Sequence, residues 1–482
     1  MSSPYETVIG LEAHVQLGTN SKAFCNDAAS FGAAPNTQLS IVSLAYPGTL
    51  PRLNKAQLAF AIRLGLATSG TISRNTGFDR KNYVYADLPK GYQITQDKSP
   101  ISMGGELPIR LPDGRTKSIK LHHIHMEEDA GKSIHSDSKN YTAIDLNRAG
   151  VPLLEIVTEP DLRSADEVAA FMQELRRLVR YLGISDGNMQ EGSLRCDVNI
   201  SLRPHGRSAY GTRTEIKNLN SMRYARQAIA FEVQRQTELL DEGEAVVQET
   251  RQFDPQRGQT FSLRTKEEAH DYRYFPDPDL PPVQITQQQI DEQKHLIQEL
   301  PWEAYTHLHK TLSIDQKDAE NLVDEPEVYQ WFSQLAAAKL PPKPTAKLVL
   351  NKLLPWLRER DLQPDQCPIS AQQIAQYLQL VKSGAVAAAQ ANAKLLPNLL
   401  DRPESDPKEL AEALGLIQQQ DDDFLLQLAQ VVTSEFPDKV SAYQKGKKGL
   451  IGFFMGEVMK RSQGKAEPKS TRAILQKLLD GE

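Results

Sequence analysis

An α+β chain, with an antiparallel-sheet domain in front and helices behind, is what the sequence predicts, on three observations. Up to about residue 290, short alternating runs are broken by turn clusters such as Leu111-Pro112-Asp113-Gly114 and Ser185-Asp186-Gly187-Asn188, the pattern of strands and hairpins. The helical stretches among them are few and separate, unlike the regular alternation of a doubly wound parallel sheet. From about residue 286 onward, nearly everything has helical spacing and is rich in Gln, Leu, Ala, Lys and Glu. At 482 residues the chain exceeds the roughly 250–300 residues at which one core stops growing. Three segments are therefore expected: 1–290, 291–405 and 406–482. The first boundary falls at the Pro-rich run from Phe275 to Pro282 and the second near Leu400 to Pro407, because Pro removes donors and fixes φ.

The elements follow in order. Gly10 to Leu17 alternates strictly, with Leu11, Ala13, Val15 and Leu17 apolar and Glu12, His14 and Gln16 polar, so an extended strand sends the two sets to opposite faces. A helix begins after Ser164, which can cap with Glu167 three residues on. Val168, Phe171, Leu175, Leu178, Val179 and Leu182 then recur at helical spacing. Arg195 to Leu202 alternates again, with Asp197 and Asn199 opposite Cys196, Val198 and Ile200, and Arg213 to Lys217 sets Glu215 and Lys217 opposite Ile216. A second helix is predicted over Ala225–Leu240, and another over Leu450–Arg461 in the tail.

Composition narrows the function classes. A hydrophobic fraction of 39% and a charged fraction of 24% describe an ordinary globular chain. No apolar stretch is long enough to span a bilayer, and the start M-S-S-P-Y-E has no basic segment followed by an apolar one. A cytoplasmic protein with no membrane partner is expected. Cys25, Cys196 and Cys367 are widely spaced, so neither a disulfide framework nor a C-x-x-C metal site is available. A net charge of -6 argues against coating nucleic acid along the whole chain. The tail is the exception, with ten Lys or Arg against two acids between Lys439 and Lys477, a local charge of +8.

Three strands thus offer faces dominated by Glu, His, Gln, Asp and Asn. Carboxylates crowded on one face repel unless a cation neutralises them. With side chains two apart about 6.6 Å from one another and neighbouring strands about 4.8 Å apart, these groups converge if the strands share a sheet. An antiparallel sheet with one wet face has the same alternation. Glu127-Glu128-Asp129 adds three hard-oxygen donors suited to Mg²⁺, although a charge run of this kind taken alone is more often a solvated turn. The following Gly131-Lys132-Ser133 does not make a phosphate loop, because Met126 stands where that loop needs Gly. His122, His123 and His125 lack a Cys partner or H-E-x-x-H spacing, so surface or core roles fit them better than zinc. Residues 77–96 interleave aromatics with Arg80, Lys81 and Lys90, a mixture that serves strand packing or the stacking of a nucleotide or RNA end.

Seven segments carry a resemblance: G-L-E-A-H-V-Q-L; F-D-R-K-N-Y with D-L-P-K-G-Y-Q-I; H-M-E-E-D-A-G-K; D-L-N-R-A-G-V-P-L-L-E-I-V; E-G-S-L-R-C-D-V-N-I-S; T-E-I-K-N-L-N-S; and D-Y-R-Y-F-P-D-P-D-L. In that order they closely resemble the B subunit of the tRNA-dependent amidotransferase, GatB, from Tyr5 to the C-terminal helices. The resemblance implies a cradle domain whose sheet is like that of glutamine synthetase, then a helical domain and a YqeY-like tail that contacts tRNA. It implies an enzyme that uses ATP to phosphorylate the side-chain carboxylate of Glu-tRNA(Gln) or Asp-tRNA(Asn). The acyl phosphate is then amidated with ammonia from a partner amidase, GatA, in a heterotrimer with a small third protein, GatC. By the same resemblance His14, Glu128 and Glu215 hold the catalytic Mg²⁺, and Glu12 and Asp197 hold an adjacent cation, with Glu12, His14, Glu128 and Glu215 catalytic. Lys217 is read from its place beside them as a phosphate contact, and Lys445, Lys447, Lys448, Lys460 and Arg461 as tRNA contacts; Gln16 receives no role. The chain departs from many relatives near residue 25, where Cys25-Asn26-Asp27 and Ser40-Ile41-Val42-Ser43 replace a C-x-C and C-x-x-C knuckle. One thiolate cannot hold a structural zinc, so no zinc is expected and packing alone should secure the loop. A metal hydrolase would use the same acidic face, and a tRNA-binding scaffold would use only the tail.

Overall fold

The computed structural model describes residues 4–134, 141–265, 272–418, 422–462, 466 and 468–481. Lys465 and Glu467 of the basic tail and Asp271 of the segment D-Y-R-Y-F-P-D-P-D-L lie outside them. Two compact units form, Met1–His307 with Val323–Pro326, and Leu308–Leu322 with Glu327–Glu482.

A large sheet organises the first unit. Its order from one edge is Gln259–Thr265, Glu249–Asp254, Thr214–Leu219, Leu194–Pro204, Tyr5–Gln16, Pro152–Thr158, Thr116–Glu128, Ser102–Met103 and Thr71–Ile72, with Glu106–Arg110 also paired to Thr116–Glu128. The sheet is mixed rather than purely antiparallel, because Thr214–Leu219 and Glu249–Asp254 run parallel. The helix Met222–Asp241 makes the crossover between them, which a parallel pair requires.

One face of the sheet is the core. Leu11, Ala13 and Val15 of the first strand and Cys196, Val198 and Ile200 of its neighbour are buried there with Leu58 and Ile62 of the helix Lys55–Ala67 and Ile229 of Met222–Asp241. The helix Ala165–Tyr181 begins as the sequence predicts: the Ser164 hydroxyl accepts from the Glu167 backbone N–H at 3.2 Å. All six of its predicted apolar positions, Val168 to Leu182, are buried. The opposite face holds Glu12, His14 and Gln16.

The Pro-rich run folds back onto this unit instead of leaving it. Phe275–Pro276 pairs with Asp79–Asn82 and Val283–Gln284 with Asn75–Thr76, both at short edge strands where Pro is tolerated. Asp277 is buried in an ion pair with Arg80 at 2.7 Å, and Leu280, Ile285 and Ile290 join the core. The unit therefore continues past residue 290 to His307.

The loop after Cys25 is held by hydrogen bonds, not by packing alone. Asp27 Oδ2 accepts from the Ser40 N–H at 2.9 Å and the Ser40 hydroxyl at 3.0 Å, and also from the Ser43 hydroxyl. Burial pushes the Asp27 carboxyl up, but the Ser43 and Ser40 hydroxyls and the Cys25 thiol hold it below its ordinary value. Its stabilising contribution is therefore complete above the ordinary Asp pKa of about 3.9 and is lost as pH falls through the lower folded value. Asp27→Ala is expected to lower stability by about 1–2 kcal/mol, the range for charge-assisted bonds discounted for partial exposure. Limited proteolysis should then cut near residues 40–49 at neutral pH, and an unchanged digestion pattern would count against the clasp.

The second unit is helical. In its first part Leu308, Leu322, Phe332, Val349, Leu353, Ile374, Leu395 and Leu399 are buried. Pro407–Ala413 packs back on these helices, where Gln376 donates to Asp406 at 3.0 Å and Val386 bridges Ile417, so the break expected at residue 405 lies within this packing. A small separate core then starts at Leu425 and joins Ala429, Val432, Tyr443, Phe454, Val458, Leu475 and Leu479 from Asp422–Glu435, Pro437–Gln444, Ile451–Arg461 and Pro468–Asp480. Gly446, at φ +106°, closes the second of these helices in a conformation that favours glycine.

Candidate active site

Five adjacent strands build the wet face, from Thr116–Glu128 to Thr214–Leu219. Register sets His125 opposite Glu155, Glu155 opposite His14, and His14 opposite Arg195; one step along, Glu12 lies opposite Asp197. Directly opposed residues share a face, so charges from distant stretches of sequence form rows. Two clusters result, each with ligand-capable atoms within 4.8 Å of one another: Glu12, Asp197 and Glu215, and His14, Glu127 and Glu155.

Lys217 sits over the first cluster, its Nζ 3.1 Å from Asp197 and 2.8 Å from Glu215. Thr250 donates to Glu215 at 2.8 Å and Asn199 to Glu12 at 2.9 Å. One ammonium faces three carboxylates. Burial, then Glu155 and Glu215, raise the Glu12 carboxyl above its ordinary value, while burial of Lys217 is outweighed by Asp197 and Glu215, which raise it. The buried Asn199 Oδ1 has no hydrogen-bond partner. This all-oxygen set, with an unused amide oxygen beside it, fits a hard divalent cation.

In the second cluster His14 Nε2 is 3.2 Å from Glu155 and 3.9 Å from Glu127, and His125 Nε2 is 3.4 and 3.6 Å from the same two. Burial would lower both imidazoles, but Glu155 and Glu127 outweigh it; His14 is raised and His125 is pushed up to about 10. Burial would raise Glu155, yet His125 and His14 hold it well below its ordinary value. His14 Nδ1 is buried without a partner. Beside the cluster, Asp129 accepts from Gln16 at 2.7 Å and pairs with Arg195 at 2.7 Å. Gln16 thus has a role, holding Asp129. Lys81 and Tyr83 close the far wall of a cavity of about 220 Å³ that also meets His14, Glu155, Asp197 and Lys217.

The expected ligand set is regrouped accordingly. Glu12, Asp197 and Glu215 come together, but His14 joins Glu127 and Glu155, and Glu128 joins neither. The cause is a bulge: Val157 pairs with His123 but Thr158 with Leu121, which skips His122. Beyond it Ile124 and Met126 face the core, and Glu128 shares their phase while Glu127 shares that of His125. Glu128 is instead buried in an ion pair with Lys90 and accepts from the Ile94 N–H at 2.9 Å. It borders a different cavity, with Lys22, Phe24, Tyr46 and Tyr92. Glu155 had a sequence signal that went unused: it is the one charged residue in the strand P-L-L-E-I-V-T.

In the tail, Lys445, Lys447, Lys448, Lys460 and Arg461 are all exposed. Lys448 pairs with Asp480 at 2.6 Å, and Arg461 pairs with Glu435, so these two are partly neutralised. Lys439 Nζ lies 3.2 Å from the centre of the Phe453 ring.

A carboxylate-lined cavity with an embedded lysine has the groups for holding cations and phosphates together. Residues 7–291 match the family described as the GatB/GatE catalytic domain, and residues 330–479 match the GatB domain. The B subunit of the aspartyl/glutamyl-tRNA(Asn/Gln) amidotransferase of Persephonella marina is 44% identical over 476 residues, covering 98% of this chain and 99% of that protein. The protein of the same name from Gloeothece citriformis is 44% identical, covering 100% and 99%, and that from Coxiella burnetii is 45% identical, covering 98% and 100%. The chain belongs to this family, the B subunits of the aspartyl/glutamyl-tRNA(Asn/Gln) amidotransferases.

Proposed function

We propose that this protein is the tRNA-handling ligase component of an amidotransferase. It phosphorylates the side-chain carboxylate of Glu-tRNA(Gln) or Asp-tRNA(Asn) with ATP and lets ammonia displace the phosphate, giving Gln-tRNA(Gln) or Asn-tRNA(Asn). The observation that carries this is kinship along the whole chain to proteins so named. The wet face supports the chemistry. A carboxylate attacking a phosphoryl group needs its partners held in line and their charge neutralised. Glu12, Asp197 and Glu215 form one cation position, and His14 with Glu127 and Glu155 forms the other. Mg²⁺ at these groups supplies the charge neutralisation that a triphosphate and a carboxylate need to approach. Lys217, already held by Asp197 and Glu215, presents an ammonium to a phosphate oxygen; Arg195 and Gln16 fix Asp129 at the cavity wall. Zinc has no place in this reading, since the Asp27 clasp takes over the loop.

The sheet unit acts as the cradle, similar in kind to that of glutamine synthetase, and the helices from Leu308 to about residue 418 as the helical domain. The basic four-helix segment of the 406–482 tail, YqeY-like, grips tRNA through Lys445, Lys447 and Lys460, with Lys448 and Arg461 at its edge. Ammonia comes from the amidase GatA, with the small protein GatC completing a cytoplasmic heterotrimer; no helix among the described residues is long and apolar enough to cross a membrane. Mixed with those partners, ATP and glutamine, the chain is expected to amidate Glu-tRNA(Gln), Asp-tRNA(Asn) or both when each is offered separately, with aminoacyl-tRNA-dependent ATP consumption. The chain by itself should release no ammonia from glutamine. ATP consumption indifferent to aminoacyl-tRNA would favour a metal hydrolase instead.

Deleting residues from 422 onward tests the tail. Binding to all tRNAs should weaken, and the log-log salt slope should flatten by roughly 0.7–0.9 per lost phosphate contact. Turnover on bound substrate should persist, since every group of the two clusters lies before residue 216. An unchanged slope would remove the tail from tRNA binding.

A further inference from the structure

Beside the acidic cavity stands a group of tyrosines that the phosphorylation chemistry does not use. The strand Asp79–Asn82 pairs antiparallel with Phe275–Pro276, with Arg80 opposite Phe275. Beyond Phe275 the two segments stay joined, the Asn82 N–H donating to the Tyr272 carbonyl at 2.9 Å, which brings Lys81 and Tyr83 beside Tyr272. The rings meet edge to face. Tyr83 lies 5.7 Å from Tyr85 and 5.9 Å from Tyr272, and Tyr272 lies 6.2 Å from Tyr274, all at steep interplanar angles of 67° to 73°. Lys81 Nζ sits 4.9 Å from the Tyr272 ring centre.

Two features separate this group from ordinary packing. It is open: Tyr85 is 55% and Tyr274 38% exposed, and Val84 between the first two tyrosines is 88% exposed. Its backbone is also held in an unfavourable conformation. Arg273, between Tyr272 and Tyr274, has φ +42°, a region rarely adopted by residues other than glycine. The Asn82 side-chain amide pins it by donating to the Arg273 carbonyl at 2.9 Å, while the Asn82 N–H donates to the Tyr272 carbonyl at 2.9 Å. Inward, the group is continuous with the cavity, whose wall includes Lys81 and Tyr83.

We infer that Tyr83, Tyr85, Tyr272 and Tyr274 form a stacking platform for an adenine base whose nucleotide extends its reacting end into the acidic cavity. Open aromatic rings stack bases, and Lys81 and the carboxylate clusters beyond them suit the charged end of the same molecule. This rests on the proposed function, in which two substrates carry such a base: ATP, and the 3′-terminal adenosine of the aminoacyl-tRNA.

The test uses the assembled enzyme with Tyr85→Ala, Tyr274→Ala and the corresponding Phe variants. KM is measured for ATP and for aminoacyl-tRNA, and affinity is measured directly for ATP and for uncharged tRNA with and without its terminal adenosine. Each Ala variant is expected to raise one KM by roughly 5- to 150-fold, the range for losing one base-aromatic stack, with the other KM within about twofold and the Phe variants near wild type. A rise for tRNA that vanishes once the terminal adenosine is removed assigns the base to tRNA; a rise for ATP assigns it to ATP. Three results overturn the platform: neither KM moves, the Phe variants lose as much as the Ala variants, or both KM values rise together with a fall in Tm. Absence of amidation by the wild-type assembly would instead strike the functional reading, and the binding arm would still decide the platform.

Discussion

Glu215→Gln and Glu12→Gln, each in the assembled enzyme, are expected to lower amidation by about a thousand-fold or more while tRNA affinity stays within about twofold. Each change removes one negative oxygen from a set of three that faces a single ammonium. A cation held there would act mainly on the charge that develops in phosphoryl transfer, an effect of several kcal/mol, whereas the proposed tRNA contacts lie in the tail and belong to neither cluster. Because Gln keeps the shape and one acceptor oxygen, Thr250 and Asn199 retain a partner at each position and the fold should survive. Single-turnover amidation and filter binding, measured on the same preparations, separate the two effects. Near-normal turnover at saturating Mg²⁺ would falsify the assignment of that residue.

The second large effect divides two neighbouring glutamates. Glu127→Gln and Glu155→Gln are expected to abolish turnover per folded molecule, with some loss of Tm because His14 and His125 lose one of the two carboxylates that hold them charged. Glu128→Gln should keep most turnover per folded molecule but lose stability. Glu128 is 2% exposed and bound to Lys90 and the Ile94 N–H. Removing its charge leaves the Lys90 ammonium without its counter-ion in a mostly buried setting, which costs about 3–5 kcal/mol. Thermal unfolding together with activity per active site distinguishes the cases. A Glu128→Gln enzyme that is stable and inactive would restore Glu128 to the catalytic group and displace Glu127.

That division marks how far the sequence could be read. Strict alternation in Gly10–Leu17 and Arg195–Leu202 placed Glu12, His14 and Asp197 on the wet face, because one face of each strand is committed to the core and register follows from it. The helix after Ser164 was equally legible, its cap and apolar stripe being local. The glutamate in Thr116–Glu128 was not, since a bulge shifts the strand's phase through a pairing made with residues about 35 positions away. Ile124 and Met126 did carry the answer locally: two apolar residues in phase with Glu128 put it on the core side. Glu155 escaped because a lone charge in an apolar strand has meaning only once His14 and His125 are known to flank it. The parallel edge pair and the folding back of the Pro-rich run depend on which distant edge is open, and no local pattern encodes that.

The place of Tyr5–Gln16 in the sheet also sets a timetable. This strand leaves the ribosome well before either neighbour, for both of its hydrogen-bonding edges are filled by partners made much later, Pro152–Thr158 on one side and Leu194–Pro204 on the other. At about 5–20 residues per second, the second partner arrives roughly 10–40 s after the strand itself. Until Pro152–Thr158 is made both edges await their match, and one still does until Leu194–Pro204 follows, the condition in which nascent chains associate wrongly. The assembly that gathers the two charged clusters from remote positions therefore makes the newborn chain dependent on protection, and slowing synthesis between residues 16 and 194 should lower soluble yield more than slowing it afterwards.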